Sequence, residues 1–413
     1  MNWLRRPAGQ GDARRTFYVL TAVSTFCFTL SFTVNLVFMA TVVGLTPFQL
    51  VLVGTVLEIT CLLFEVPTGI VADLHSRRTS VLIGCALVGV GLLLQAVPLL
   101  VTVLAAQVVW GIGYTFTSGA TQAWITDEVG EDQIAPVFAR EQQIHLGAGL
   151  VGTLVAGLLS LAGLAVPMVI SGLGFLALTV WLMRTMPEQN FSPTPLDRRE
   201  TFRHMGTTFR NGLRLAAVRP VVRGLLLVTV LAGLASEAFD RLWLVRILED
   251  FPLPRHFGAD NVGLWFAGFS LVGSVVALIA SLLVNRRGAA GITTRHPGRV
   301  LAALAALHVL CVLAVALGGS LWLVLAGFWL RGAAYALAAP VEATWLNAEL
   351  PSEIRATVLS MNGQVNALGQ IAGGPPLGLL ASVTSVRTAL ATSAVVLAPV
   401  VAVYGWLGRR RTP

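Results

Sequence analysis

Long apolar runs dominate this chain and limit what it can fold into. The run from Thr16 to Leu57 contains no charged residue, and similar runs recur up to the C-terminus. A helix needs ~20 consecutive apolar residues to cross a bilayer, and in lipid every backbone N–H and C=O must be bonded internally. Hydrophobic residues make up 55% of the chain and charged residues only 12%, against about a quarter charged in an average soluble domain. The sequence therefore predicts an all-α protein with many membrane-spanning helices.

Glycine, proline and charged residues separate the apolar runs from one another. Splitting the chain at these breaks predicts twelve spans, at residues 16–43, 47–71, 79–97, 101–126, 141–162, 165–184, 222–246, 260–284, 299–317, 320–346, 356–380 and 386–407.

The basic residues predict the orientation of these spans. All 28 of them are arginine, they give a net charge of +8, and they cluster beside the apolar runs. Positively charged loops stay in the cytoplasm, so the pattern predicts a multi-pass protein of the cell (cytoplasmic) membrane with both termini cytoplasmic. The charge is then explained by topology, and no nucleic-acid partner is expected.

An internal repeat divides the chain into two halves. When the first half is laid along the second so that Trp124 meets Trp345, the two align without gaps. We predict two six-helix bundles, 1–185 and 222–413, joined by a cytoplasmic basic linker at 186–221, with both bundles in the same orientation. The same alignment places Gly111, Tyr114, Glu128, Gln143 and Gly152 on Gly332, Tyr335, Glu349, Gln364 and Gly373.

The turn between the second and third spans carries the pattern G-x-x-x-D-x-x-x-R-R, formed by Gly69, Asp73, Arg77 and Arg78. It resembles the loop signature of the major facilitator superfamily, and twelve spans with a half repeat agree with that family. The resemblance implies the major facilitator fold and alternating access, with substrate held between the halves by spans one, four, seven and ten. It also implies that these four residues, with Glu65, form a cytoplasmic gate motif.

Ionisable residues within spans are candidates for function, because each costs several kcal/mol or more unless it is paired or hydrated. We name Glu58, Glu237, Asp240, Arg241 and Arg331 as candidates for proton coupling or for the cavity wall. Glu58 could instead make a buried structural hydrogen bond. The Glu237, Asp240 and Arg241 cluster could instead lock helix ends. Arg331 needs an acid of the seventh span or an anionic substrate as its partner.

Polar residues within the spans could contact substrate. The candidates for the wall of the substrate cavity are Asn35, Tyr114, Thr117, Gln122 and Gln364. We interpret His145 and His308 as structural, since a single histidine in a helix more often has that role.

The residue inventory excludes several functions. A chain without lysine cannot have the lysine of a phosphate-binding P-loop, and no catalytic metal or nucleophile motif is present. We therefore expect no enzyme activity, no cofactor and no metal. The predicted partners are a small-molecule substrate, protons and the bilayer, and the predicted state is a monomer.

The predicted activity is proton-coupled export of small amphipathic or hydrophobic organic compounds. Export is implied by the resemblance of the gate motif and its lead-in, Glu65-Val-Pro-Thr-Gly69, to drug:proton antiporters of the family. Two departures from those antiporters leave the alternatives open: Gln107 replaces their fourth-span arginine, and a Gly-Pro pair occurs at Gly374 instead of in the fifth span. The alternatives are proton-coupled uptake of a metabolite and, from another class, a membrane enzyme or a non-transporting receptor.

Overall fold

The computed structural model describes residues 10–193, 219–254, 262–286, 296–350 and 352–409. These residues form fifteen α-helices, one short 3-10 turn and no strand. Most of the predicted basic linker, 186–221, lies outside the described residues.

The first eight helices cover the chain up to residue 185. They are α1 (Gln10–Phe32), α2 (Asn35–Thr41), α3 (Pro47–Leu74), α4 (Arg77–Gln95), α5 (Leu100–Thr117), α6 (Ala120–Val129), α7 (Glu131–Leu159) and α8 (Val166–Thr185).

Seven helices follow. They are α9 (Pro220–Asp250), α10 (Val262–Arg286), α11 (Pro297–Leu317), α12 (Leu321–Glu349), α13 (Ser352–Val383), α14 (Val386–Leu397) and α15 (Pro399–Arg409).

Eleven helical stretches in the described part of the chain are long and apolar enough to cross a membrane. Three of them are interrupted helices: α1 with α2, α5 with α6, and α14 with α15. The predicted span at 356–380 lies within α13, which is continuous but less apolar because it carries several amides, several glycines and the Pro375-Pro376 pair. The prediction of an all-α membrane fold is confirmed, with α13 added to the eleven spans to make the predicted twelve.

The fifth span begins earlier than predicted. The predicted spans leave residues 127–140 between the fourth and fifth, but α6 reaches Val129 and α7 starts at Glu131. The only break is Gly130, whose φ of 89° reverses the chain between the two helices. Glu131 and Asp132 occupy the first turn of α7, where carboxylates interact favourably with the helix dipole.

The chain divides into two compact units. The first unit comprises Met1–Leu45, Val56–Arg199 and Pro254–Leu271, and the second comprises Thr46–Thr55, Glu200–Leu253 and Val272–Pro413. The division into bundles at 185 and 222 remains a prediction from the repeat.

Each unit has its own apolar interior. In the first, Phe17, Trp124 and Phe175 are fully buried within one cluster that joins α1, α4, α6 and α8. In the second, Leu225 and Tyr404 belong to a cluster that joins α9, α11, α12, α13 and α15. Burial of such side chains in a membrane protein supplies packing rather than a hydrophobic driving force, since lipid tails are equally apolar.

Candidate functional site

A charged cluster lies within the second unit, formed by Asp240 of α9, Arg331 of α12 and His308 of α11. Arg331 Nη2 donates to Asp240 Oδ1 at 3.1 Å, and Arg331 Nε donates to His308 Nε2 at 3.1 Å. The guanidinium also lies over the ring of Phe239, 3.9 Å from its centroid. The structure thus brings together two residues that the sequence named, Asp240 and Arg331, and adds His308, which we had interpreted as structural.

A second ion pair lies on the same helix. Glu237 Oε1 accepts from Arg241 Nε at 2.9 Å, in the i, i+4 arrangement that a helix allows. Glu237 is buried, and its carboxylate fits against the backbone of Gly54 in α3, where an added Cβ would overlap Oε1. On its other side the Glu237 side chain contacts Gly374 of α13. The pair therefore depends on two positions without side chains.

A cavity of about 470 Å³ lies within the second unit, and its wall includes the whole charged cluster. We call it the second cavity. Its wall is mainly apolar, from α9, α11, α12 and α14, with Asn366 and Gln370 of α13 as amide contributions. At a different point of the wall, Glu342 of α12 is hydrogen-bonded to Tyr404 of α15. A membrane-embedded cavity with both apolar and charged wall is suited to an amphipathic ligand.

Gln364 is not among the residues that line the second cavity. It lies on α13 two positions before Asn366, which does line the cavity, and a step of two positions turns a helical side chain by about 200°. Asn366 and Gln370 are the amides of this helix in the second cavity, and the role of Gln364 in a substrate cavity stays a prediction.

The first unit contains a smaller cavity of about 350 Å³, which we call the first cavity. Tyr114, Thr117 and Gln122, all predicted, line it. Thr25 Oγ1 and His145 Nδ1 lie 3.0 Å apart in its wall. The wall also contains the break between α5 and α6, where Gly119 adopts a φ of 71°. Broken spans expose backbone polar groups only where they line a cavity or protein, and this one does so.

Two other predicted residues lie outside both cavity walls. Asn35 is buried at the start of α2. Glu58 is half-buried on α3 and has an interaction partner.

The gate motif is held to its surroundings by its arginines. Arg77 forms an ion pair with Asp127 of α6, and its Nη1 also donates to the Ala123 carbonyl at 2.7 Å. Arg78 Nη2 donates to the Met183 carbonyl of α8 at 2.6 Å. These contacts tie the start of α4 to the ends of α6 and α8.

The two acids of the gate motif, Asp73 and Glu65, make none of these contacts of Arg77 and Arg78. Asp73 is exposed, and within the described residues it makes no ion pair; Glu65 is also exposed, and Gly69 has open space around its Cα. Arg77 opens α4 and extends to α6, where its partner is Asp127.

Glu188, in the segment that follows α8, was also missed. Its carboxylate accepts from Ser76 Oγ at 2.6 Å and from the Arg78 backbone N–H at 2.9 Å, at the N-terminus of α4. The carboxylate of Glu128 binds the same segment, through the N–H groups of Gln189 and Asn190. The sequence does contain a signal for these partners, because each of the acids at 127, 128 and 188 follows closely on an apolar run.

Arg246 forms a further polar site that the sequence did not single out. Its side chain is 0% exposed, forms an ion pair with Asp250, and donates to the Gly318 carbonyl at 2.8 Å. Asp250 also accepts from Arg387 Nη2 at 2.7 Å. All four residues lie at one end of the second unit, so we interpret them as a structural clamp between α9, α11 and α14.

Comparison with known proteins identifies the family. The sequence pattern of the family described as Major Facilitator Superfamily matches residues 17–294. The chain is also 22% identical, over 340 residues and 81% of both chains, to the uncharacterized MFS-type transporter YxaM of Bacillus subtilis (strain 168).

Solved transporters share the fold at low sequence identity. The nucleoside transporter NupG superposes with a TM-score of 0.71 at 15% identity, covering 96% of this chain and 98% of that one. A bacterial homolog of the human lysosomal transporter Spinster gives 0.72 at 15% identity, covering 98% of both chains. The peptide transporter POT in complex with sulfate gives 0.73 at 12% identity, covering 96% and 94%. This multi-pass, non-enzymatic membrane transporter belongs to the Major Facilitator Superfamily.

Proposed function

We propose that this chain is a proton-coupled secondary transporter that exports small amphipathic or hydrophobic organic compounds by alternating access. The observation that carries the proposal is the charged cluster in the wall of the second cavity. Asp240 and Arg331 lie within membrane spans, where unpaired charge is costly, and they occur where a solute could reach them.

Proton coupling requires an acid that can exist in two states during the cycle. Asp240 is 51% exposed, so it can gain a proton and release Arg331 without a large rearrangement. Glu237 is buried against Gly54 and paired with Arg241, so its protonation would break a tighter arrangement. We assign the exchange of protons first to Asp240, then to Glu237, with Glu58 as a third acid.

The substrate is assigned from the cavity walls. The second cavity is mainly apolar with a charged cluster, which suits a molecule with an apolar body and a polar group. Tyr114, Thr117 and Gln122 give the wall of the first cavity hydroxyl and amide groups. The similar transporters are named for different substrates, including nucleosides and peptides. The assignment of the substrate class therefore rests on the cavity walls alone.

Export rests on the gate motif and its lead-in, whose residues resemble efflux members of the family. In this proposal both termini are cytoplasmic, the protein is a monomer of the cell membrane, and the contacts of Arg77 and Arg78 hold the cytoplasmic ends of α4, α6 and α8 together in one state of the cycle. Uptake with the same coupling is the competing direction.

Proteoliposomes test this proposal. The purified protein is reconstituted, a pH gradient of either sign is imposed, and a panel of amphipathic organic compounds is followed by flux. We expect movement of at least one compound, opposite to the proton flow, and its loss on adding an uncoupler. Movement of every transported compound along with the protons would overturn export, and flux that is indifferent to the gradient would overturn proton coupling.

A further inference from the structure

The second cavity is elongated. Its wall extends on α9 from Val228 to Asp240 and on α12 from Arg331 to Glu342. At 1.5 Å per residue each stretch rises roughly 16 to 18 Å. That length can take an extended molecule whose two ends meet different parts of the wall.

The two ends of the second cavity differ in charge. Arg331 and Asp240 are at one end, and Glu342 with Tyr404 is at the other. Between the ends the wall includes apolar side chains from α9, α11, α12 and α15, among them Ala235, Ala305, Ala338 and Val400. Arg331 is the only cationic side chain that lines this cavity in the described part of the chain.

The guanidinium of Arg331 has hydrogen-bonding capacity that the described residues do not use. It carries five N–H groups. One of them, on Nε, binds His308, and one, on Nη2, binds Asp240. Its Nη1 has no hydrogen-bond partner among the described residues, while its face rests on Phe239. The guanidinium is therefore held in position and still has N–H donors available to bind an oxygen anion.

We propose that the second cavity binds a linear amphipathic molecule with an anionic head, a carboxylate, on Arg331. This inference rests on the proposed function, because it names the class of compound that is transported. The carboxylate takes the place of the Asp240 carboxylate on Nη2 and also binds Nη1, while the apolar chain lies along the wall towards Val400. The carboxyl group of Glu342 at the far end disfavours an anion there, which sets the direction of the bound molecule.

Asp240 can give way because its side chain is half exposed and, among the described residues, accepts a hydrogen bond from Arg331 alone. His308 continues to hold the guanidinium from the Nε side during the exchange. The incoming carboxylate replaces the Asp240 carboxylate as the partner of Arg331, and the net charge of the site is conserved when the displaced Asp240 takes up a proton. This replacement makes Asp240 a competitor of the ligand, and this competition is what separates the proposal from a purely structural role of the pair.

Binding to the purified full-length protein in neutral-lipid nanodiscs tests the proposal. The probes are dodecanoate, acetate and dodecyltrimethylammonium, measured by titration calorimetry. We expect dodecanoate to bind more tightly than acetate. Arg331→Gln should weaken dodecanoate binding at least about tenfold, the scale of a charge-assisted hydrogen-bond pair, and should not weaken binding of dodecyltrimethylammonium.

Two further variants keep the test decisive. Arg387→Gln is the matched control, because Arg387 pairs with Asp250 and does not line the second cavity; dodecanoate affinity should stay unchanged. Asp240→Asn removes the competitor and should tighten dodecanoate binding severalfold. Thermal unfolding of each variant checks that it is folded.

Wild-type affinity of Arg331→Gln for dodecanoate, or equal weakening by Asp240→Asn and Arg331→Gln, would overturn the inference. Flux data separate it from the proposed function. Proton-driven flux of other compounds without dodecanoate binding would refute only the inference. Dodecanoate binding as expected, without flux of any compound, would refute only the transport proposal.

Discussion

The two units differ at one pair of equivalent positions. In the first unit Phe32 and Trp110 meet edge to face, with ring centroids 5.4 Å apart and planes at 77°. In the second unit the same places are occupied by Asp240 and Arg331, which form an ion pair at 3.1 Å. Trp110 corresponds to Arg331 in the gapless alignment that places Trp124 on Trp345.

The match of Phe32 with Asp240 rests on backbone contacts that occur in both units. An added Cβ at Gly152 would press on the Phe26 carbonyl oxygen, and one at Gly373 would overlap the Leu234 carbonyl oxygen. Gly152 and Gly373 are equivalent in the repeat, so Phe26 of α1 corresponds to Leu234 of α9. Counting forward equally along both helices from this match brings Phe32 onto Asp240.

A pair of hydrogen bonds gives the same alignment. Ser171 Oγ of α8 donates to the Cys27 carbonyl of α1, and Ser393 Oγ of α14 donates to the Ala235 carbonyl of α9 at 2.7 Å. Cys27 directly follows Phe26, and Ala235 directly follows Leu234, so the two carbonyls are equivalent in the same register. In each unit, two helices thus pack against the first one, α1 or α9, through the same glycine and serine contacts.

The difference shows what packing requires and what it does not. An aromatic pair fills this position in the first unit, with Trp110 buried and Phe32 partly exposed. The ion pair in the second unit is therefore not needed to hold these helices together. Because a pair of charges in a span carries a desolvation penalty that an aromatic pair does not, its presence supports a role in ligand or proton binding.

The largest effect should come from replacing the ion pair of the second unit with the aromatic pair of the first unit. We expect Asp240→Phe combined with Arg331→Trp to stay folded, because the adjacent cavity can receive the rings. We also expect it to lower flux at least about 100-fold, the equivalent of ~2.7 kcal/mol. Thermal unfolding and proteoliposome flux measure the two quantities. Arg331→Trp alone should be about 1 to 2 kcal/mol less stable than the double variant, since it leaves the half-exposed Asp240 without its cation.

Near wild-type flux in the double variant would show that the ion pair only fills space between the helices. The ion pair would then have no role in transport. The matched control is Phe32→Leu with Trp110→Leu in the first unit. It should lower stability through lost packing and leave the dependence of flux on the pH gradient intact.

The next effect concerns Glu237, whose equivalent in the first unit is the uncharged Thr29 in the same register of α1 and α9. Gly54→Ala should separate Glu237 from Arg241, because the new Cβ would overlap the Glu237 carboxylate. We expect a loss of about 2 to 4 kcal/mol in stability, from overpacking and a weakened buried pair, with at least about tenfold lower flux. Gly147→Ala, at a helical glycine with open space, is the control and should be neutral. A Gly54→Ala variant as stable as that control would contradict the geometry.

A smaller effect is expected at the gate motif, which is described only in the first unit. Arg77→Gln removes the ion pair with Asp127 and the bond to the Ala123 carbonyl and should cost about 1 to 3 kcal/mol. Asp73→Asn, at an exposed residue without an ion pair in the described chain, should change stability by less than about 0.5 kcal/mol. Chemical or thermal unfolding of the two variants measures the difference. Equal destabilisation would show that Asp73 contributes as much to stability as the contacts of Arg77.

The sequence predicted the spans well because long charge-free runs and arginine clusters are local signals. It also named Asp240 and Arg331 as candidates, since a charged residue within an apolar run can be recognised from the sequence alone. It did not reveal that His308 and Gly54 would lie beside those charges, because their positions depend on how different helices pack. Asp127 and Glu188 were missed for the same reason: they become partners of the gate motif only when α4, α6 and α8 meet.

The smallest effect is expected at the break between α5 and α6. This break is a second difference between the two units. Gly119 has a φ of 71° there, whereas its equivalent in the repeat, Pro340, lies inside the continuous helix α12. Gly119→Ala should cost about 1 kcal/mol, because a Cβ disfavours this conformation even though nothing lies within 4 Å of it. Pro340→Ala should be neutral or stabilising, since proline is disfavoured inside a helix. Thermal unfolding compares the two variants. A stabilising Gly119→Ala would mean that α5 and α6 join into one helix, and the break would then be a state of the first cavity rather than a fixed part of its wall.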